Sequence, residues 1–392
     1  FKQKTAYEIM PSLVGSEMCI RDRGKLTDTK DSGLGDISVM YRVNAQSRAF
    51  EMACQRYGVP YQVVGGVKFY QRKEIKDLTA YLRLILNPND DVSLSRVLNV
   101  PPRGIGQRTV DQLNRVSRNL NTSMYSAIEK VTSKEKSGDL STQLSPRAVR
   151  ALSHFQDLIL DLQNRSKQSQ LVELIEDVMS SSGYSKYLDA DEQSEERIEN
   201  IQEYKNSARE YSNHDGQDAL VFFMESVALV SDIDTIDEDK ESLTLITLHQ
   251  AKGLEFRGVF IAGMEEGMLP HIRSIETGTP TEMEEERRLF YVGMTRAKER
   301  LYLMRAFRRG FRGGSGPTAP SRFLSEIPDE LIQIPKYENE TRSDDAPNSS
   351  LGNLSRQKKK RLSSNFKPTI RDHKPYEEKS RPGKISRSSR RR

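Results

Sequence analysis

Cysteine is nearly absent from this chain of 392 residues: Cys19 and Cys54 cannot make a disulfide framework or a tetrahedral zinc site, which points to a reducing compartment. Histidine is also scarce, and His154, His214, His249, His271 and His373 are scattered without metal-ligand spacing. No apolar run approaches the roughly 18 to 20 residues of a membrane-spanning helix. With 30% charged residues and a mean hydropathy of −0.69, the expectation is a soluble, cytoplasmic chain. A GxxxxGK[ST] phosphate loop is missing, and so is an acidic strand end to pair with it around magnesium. Two or three domains of ordinary size fit the length.

The net charge of +5 hides an asymmetry. Residues 341–392 hold 16 Lys or Arg against 5 Asp or Glu, so the tail carries +11 and the remaining residues −6. The tail is rich in Ser and poor in aromatics, a composition that buries too little apolar surface to offset chain entropy, and it reads as disordered. It is either a diffuse attractor of phosphate backbones or a solvated terminus.

The first 23 residues, Phe1 to Arg23, fit nothing that follows. Their short apolar stretch is flanked by Glu8 and Glu17, which makes a poor signal peptide, and the string resembles translated adapter sequence. They are set aside as foreign to the fold. Strands are expected at 37–42 and 61–64, with a helix from Gln46 to Tyr57 stopped by Gly58 and Pro60. From Arg72 the periodicity is helical: Leu78, Tyr81, Leu82, Leu84 and Ile85 form one apolar face before Asn87-Pro88. Further helices are expected over 107–119, 146–163, 169–180, 194–211 and 216–230. The acidic run Asp232–Asp239 reads as a solvated linker. Strands return at 243–248, 258–262 and 300–304, with a helix over 282–298 that has acids early and bases late. Strands interleaved with helices predict a parallel α/β sheet, and its two small parts predict one domain split by an all-helical insert.

Four segments stand out in order: Tyr41-Arg-Val-Asn-Ala-Gln-Ser-Arg48, the run Gly65–Asp77, Thr247-Leu-His-Gln-Ala-Lys-Gly-Leu-Glu-Phe256, and Glu284–Glu299 with Val292-Gly-Met-Thr-Arg-Ala297. With these, the chain over about 37–308 resembles the C-terminal half of the UvrD/PcrA/Rep group of superfamily 1 DNA helicases. The resemblance implies a RecA-like parallel-sheet domain in two parts, 24–67 and 243–308. Between them lies a helical insert subdomain at 68–242, and a linker and basic tail follow at 309–392. It also implies that the phosphate loop, the magnesium ligands and an adenine-stacking Tyr lie upstream, so that this chain forms one wall of an ATP site.

Alone, Arg296 could be a surface cation. By resemblance it holds the arginine-finger position, where a planar guanidinium stabilises a transferring γ-phosphoryl group. Glu255 matches a ribose contact, and Gly253 lets the backbone approach the nucleotide. His249 could be a structural hydrogen-bonder; by resemblance it contacts single-stranded DNA beside the nucleotide, with Thr247 as a phosphate contact. Asn44, Lys68 and His271 match further DNA contacts, and Arg273 stands next to the last of them. In the insert, Gly104-Ile-Gly106 runs straight into a helix beginning near Arg108, and a helix start offers phosphate-binding N–H groups. As a lone motif it is a turn; by resemblance Gly104, Gly106 and Arg108 grip the backbone of duplex DNA.

The function implied is an ATP- and magnesium-dependent 3′ to 5′ DNA helicase acting on single-stranded and duplex DNA. A helicase–nuclease subunit and a non-catalytic DNA-binding protein are the alternatives. Deleting residues 341–392 is expected to weaken DNA binding mainly at low salt and to flatten the plot of log affinity against log salt. An unchanged slope identifies the tail as a passive terminus.

Overall fold

β-Branched and apolar runs with no polar alternation make strands that are buried on both faces, and here they assemble into one parallel sheet. A computed structural model of the chain describes residues 7–12, 33–133, 144–232, 241–306, 308–311 and 314–333. The acidic run from 233 onward and the tail at 341–392 lie outside the described residues. The strands are β1 (Tyr7–Ser12), β2 (Ile37–Tyr41), β3 (Tyr61–Val64), β4 (Leu243–Thr247), β5 (Phe256–Ala262) and β6 (Ala297–Ala306), with the short β9 (Ile332–Gln333) at one edge. Their order is β3-β4-β2-β5-β6-β1-β9, and every neighbouring pair is parallel. An antiparallel hairpin of β7 (Arg308–Phe311) and β8 (Gly314–Pro317) stands apart from this sheet. The stretch set aside at 1–23 thus contributes a strand, β1, paired with Leu301–Ala306 of β6.

Successive residues of each strand face opposite ways. Val39, Leu245, Phe260 and Tyr302 pack on Phe50 and Cys54 of helix α1 (Ser47–Arg56), and the Phe260 and Tyr302 rings stack with centroids 4.5 Å apart. Met40, Ile246, Ile261 and Leu303 face the other way onto Phe290 and Phe323.

Between β3 and β4 the chain makes the helical insert: α2 (Lys73–Leu86), α3 (Asp91–Val97), α4 (Gln107–Leu120), α5 (Met124–Thr132), α6 (Pro146–Ser166), α7 (Leu171–Ser181), α8 (Tyr184–Asp189), α9 (Ser194–Arg209) and α10 (Gly216–Asp232). A single core that runs from Phe69 to Val227, separate from the sheet's two cores, holds these helices together. Six match the sequence expectation within a few residues. The three it omitted, α3, α5 and α8, are short, and two of them have legible N-caps. The Asp90 carboxylate accepts the N–H groups of Val92 and Ser93, and the Ser123 hydroxyl accepts that of Ser126. Among the described residues no helix is long and apolar enough to cross a membrane.

After β5 come α11 (Ile272–Thr277) and α12 (Pro280–Thr295). The helix expected over 282–298 stops three residues early, because Ala297 already belongs to β6 and the Arg296 carbonyl accepts the Phe256 N–H at 2.9 Å. Arg296 is therefore the cap between α12 and β6, not a residue inside the helix. Helix α12 lies close on the sheet at Gly293, where a Cβ would stand 2.5 Å from a Leu248 methyl and 2.9 Å from one of Ile261. Gly293→Val is accordingly expected to destabilise the fold by about 1–3 kcal/mol through overpacking, read as a lower urea midpoint at unchanged slope. An unaltered midpoint would contradict this close packing.

Candidate nucleic-acid and nucleotide surfaces

Open parallel sheets bind ligands beyond the carboxyl ends of their central strands. In register, Tyr41 stands opposite Thr247 and Met40 opposite Ile261, so β2, β4 and β5 end at nearly one level. The segments leaving those ends surround a cavity of about 610 Å³. Asn44 follows β2, Thr247 and His249 end and follow β4, and His271 and Arg273 follow β5; all five line this cavity. The structure thus gathers four of the expected DNA contacts, and Arg273 with them, although they span more than 200 positions of sequence.

Lys68 is not part of this lining. Its ammonium lies 5.3 Å from the centroid of the Tyr61 ring, while the neighbouring Gly66 packs beside Asn44.

The loop after β2 is shaped by Gln46, whose side-chain oxygen accepts the N–H groups of Arg42 and Val43 at 3.0 and 3.1 Å. That fold-back turns Arg42 toward α12. Arg42 Nε donates to both oxygens of Glu286 at 3.0 Å, and Nη2 donates to Oε1 at 2.6 Å. Glu286 also accepts the His271 backbone N–H at 3.0 Å, so one buried carboxylate ties the loops after β2 and β5 to α12. Burial works against its charge, but the Arg42 hydrogen bonds and charge together with the His271 N–H outweigh it and hold Glu286 below the usual carboxylate range. Sequence reading passed over both Arg42 and Glu286. Both stand inside segments singled out as motifs, Tyr41–Arg48 and Glu284–Glu299, but neither was given a role.

His249 is part of the cavity lining. Crowding by surrounding atoms, and then the Arg42 charge, lower its pKa against the opposing pull of Glu286 and Glu285. The shift favours the neutral ring. Opposite it, α9 presents three carboxylates to the cavity: Asn44 Nδ2 donates to Glu196 at 2.6 Å, the His271 ring meets Glu199 at 2.9 Å, and Arg273 pairs with Glu195.

The nucleotide candidates lie elsewhere. Phe256 pairs with Ala297 two residues before Gly258 meets Ile37, which puts Gly253, Glu255 and Arg296 at the amino-terminal edge of β5 and β6. That is about six strand residues, on the order of 20 Å, from the level of Thr247. Arg296 is held there by carbonyls: Nε donates to Val292 O at 3.1 Å and Nη1 to Leu254 O at 3.2 Å, while Nη2 reaches the Thr295 hydroxyl at 3.0 Å. The guanidinium thus rests on the Gly253-Leu254-Glu255 turn itself, with some of its five N–H groups still to offer. Gly253 has φ 91°, which disfavours any side chain, and open space where a Cβ would stand. Glu255 faces solvent near Lys298, 3.6 Å away. These groups suit a phosphorylated, hydroxyl-bearing ligand. Among the described residues no group of three or more His, Cys, Asp or Glu is placed to hold a metal ion, so no step is assigned here to magnesium.

The Gly104-Ile105-Gly106 turn forms a third surface on the insert, outside the cavity. The Asn99 side chain accepts the N–H groups of Arg103 and Ile105 at 2.7 and 3.2 Å, and buried Ile105 anchors the turn. Gly104 takes φ 75°, and Gly106 caps α4 just before exposed Arg108. The Arg147 guanidinium, which sequence reading did not single out, stands 3.6 Å from the place of a Gly104 Cβ.

The fold that carries these surfaces is a parallel α/β sheet with a cavity at its strand ends and a helical insert between two adjacent strands. A model of the UvrD-like helicase C-terminal domain matches residues 18–307, about three quarters of the chain, and the chain belongs to that family. It is 39% identical over 334 residues to the ATP-dependent DNA helicase PcrA of Bacillus subtilis (strain 168), covering 82% of this chain and 44% of that protein. It is 41% identical over 301 residues to the PcrA of Staphylococcus epidermidis, covering 76% and 40%. With the PcrA of Staphylococcus aureus it shares 39% identity over 331 residues, covering 83% and 44%. The chain therefore spans less than half the length of these relatives.

Because the folded pKa of His249 lies below its ordinary value, the unfolded chain takes that proton first on acidification. The ring then costs stability as pH falls through the ordinary histidine value, an effect complete below the folded pKa. Its NMR titration midpoint is expected below the ordinary range. Arg42→Gln should raise it, by removing a cation and freeing the Glu286 charge; a midpoint that stays put or falls excludes this electrostatic account.

Proposed function

We propose that this chain is the C-terminal part of an ATP-dependent DNA helicase that translocates 3′ to 5′. In this reading the strand lies across the cavity at the carboxyl ends of β2, β4 and β5. Asn44, Thr247, His249 and His271 act as hydrogen-bonding groups, which position a backbone without reading bases. At the other edge Arg296 supplies a planar guanidinium to charge developing on the γ-phosphoryl group of ATP, while Glu255 and the Gly253 backbone take the sugar side. Gly104, Gly106, Arg108 and Arg147 form a separate contact for duplex backbone at the start of α4. The direction of travel and the unwinding of duplex rest on the family resemblance, and the scarcity of cysteine supports a cytoplasmic setting.

The observation that supports this reading best is the course of α12. Glu286 in its second turn grips the strand-side loops, and its C-terminal cap is Arg296. One packed helix thus connects the two surfaces, so a displacement of the strand-side loops is passed to the arginine as a rigid movement. In the full-length protein that carries this chain, Arg296→Ala is expected to lower DNA-stimulated ATP turnover by about 10³ to 10⁵-fold, with little recovery in Arg296→Lys because lysine lacks the planar fork. Near-normal turnover in the alanine variant refutes the assignment.

A further inference from the structure

Two of the donors that the proposed function assigns to a DNA strand, Asn44 and His271, and Arg273 beside them on the cavity wall, are engaged in this structure by carboxylates of the insert. Asn44 Nδ2 donates to Glu196 at 2.6 Å, the His271 ring lies 2.9 Å from Glu199, and Arg273 pairs with Glu195. All three acids sit in the first two turns of α9, and with Glu282 they put four carboxylates on the cavity wall. The cationic side of the same wall is weak: Arg42 is neutralised by Glu286 and Arg273 by Glu195. A cavity so lined repels a polyanion. Yet each acid makes the kind of contact that a phosphate oxygen makes, since carboxylate and phosphate accept from the same donors with similar geometry.

We propose that Glu195, Glu196 and Glu199 are built-in stand-ins for strand phosphates, competing with nucleic acid for Asn44, His271 and Arg273. The inference rests on the DNA-binding reading of the cavity. A strand takes these donors only by displacing the α9 carboxylates, so the insert sets a threshold on strand occupancy. The device is local. Asn200, one residue past Glu199, is buried and locked, accepting from Arg72 at 2.6 Å and donating to Glu74 at 2.7 Å. Arg72 in turn donates to the Asn44 carbonyl at 3.0 Å. The helix is thus pinned beside the strand-side loop, and its three acids ahead of the pin are the parts that swing away.

The test compares binding of a fluorescent oligo-dT strand to this chain, by anisotropy at fixed salt, in three forms. They are the unaltered chain, the triple variant Glu195→Gln, Glu196→Gln and Glu199→Gln, and a charge-matched control with Glu129→Gln, Glu225→Gln and Glu330→Gln at exposed sites away from the cavity. The triple variant is expected to bind at least about ten-fold tighter than the control, and adding His271→Ala to it should reverse much of that gain. A gain in affinity cannot come from misfolding. Binding no tighter than the control overturns the competition while leaving the DNA reading intact. A gain that His271→Ala leaves untouched places the effect outside the cavity and overturns it too. No measurable binding by any of the forms overturns the DNA reading and the competition together.

Discussion

The Arg42–Glu286 pair is the interaction on which the rest of the arrangement depends. It is a forked, charge-assisted contact with little solvent around the carboxylate, and it joins the end of a strand and the loops beyond it to a helix. Buried pairs of this kind contribute modestly to net stability, but losing one member costs about 3–5 kcal/mol because the other charge is stranded. Its value here is one of registration. With the His271 N–H as a third donor, Glu286 sets where the loops after β2 and β5 stand relative to α12. Since α12 lies tight on the sheet at Gly293, that setting carries through to the cap residue at its far end.

The choice of side chains at the cavity follows from the charge of the body. Residues outside the tail carry a net −6, so no broad positive field covers the sheet. On the proposed reading, recognition there falls to short-range hydrogen bonding by Asn44, Thr247, His271 and a His249 ring whose surroundings disfavour its charged form. Contacts of this kind add little salt dependence and tolerate any base. They also let a helix bearing carboxylates occupy the same donors.

Strands β2 to β6 were legible, most plainly where both faces are buried: a run such as Leu243–Thr247 has no polar alternation. β1, in the stretch set aside, and the short β7, β8 and β9 were not. Long insert helices were legible from their apolar stripes. Short α3, α5 and α8 were not, since one or two turns show too little periodicity and must be found from caps. The end of α12 was misplaced because Lys298 and Glu299 extend a helical charge pattern, while a ladder partner at Phe256, far off in sequence, takes Ala297 into the sheet. The site divides in the same way. Long motifs mark the segments, such as those of His249 and Arg296, but not which side chains within them meet. Glu286 and Arg42, 244 positions apart, and Asn44 and Glu196, 152 apart, form pairs that no local pattern encodes.

Strands β3 and β4 are adjacent and parallel, with Tyr61 beside Leu243 and Val64 beside Ile246. Neighbouring parallel strands need a crossover of only about a dozen residues, usually a single helix. Residues 65–242 fill that slot. In topological terms the whole insert is one overgrown crossover, which leaves the sheet at the carboxyl end of β3 and re-enters it at the amino end of the neighbouring strand β4. Strand order is indifferent to what hangs between those points. The side chains of the insert do the rest of the fastening: Arg72 and Glu196 both hold Asn44, and Glu203 pairs with Arg48 of α1, so the crossover is tied back to the sheet it spans.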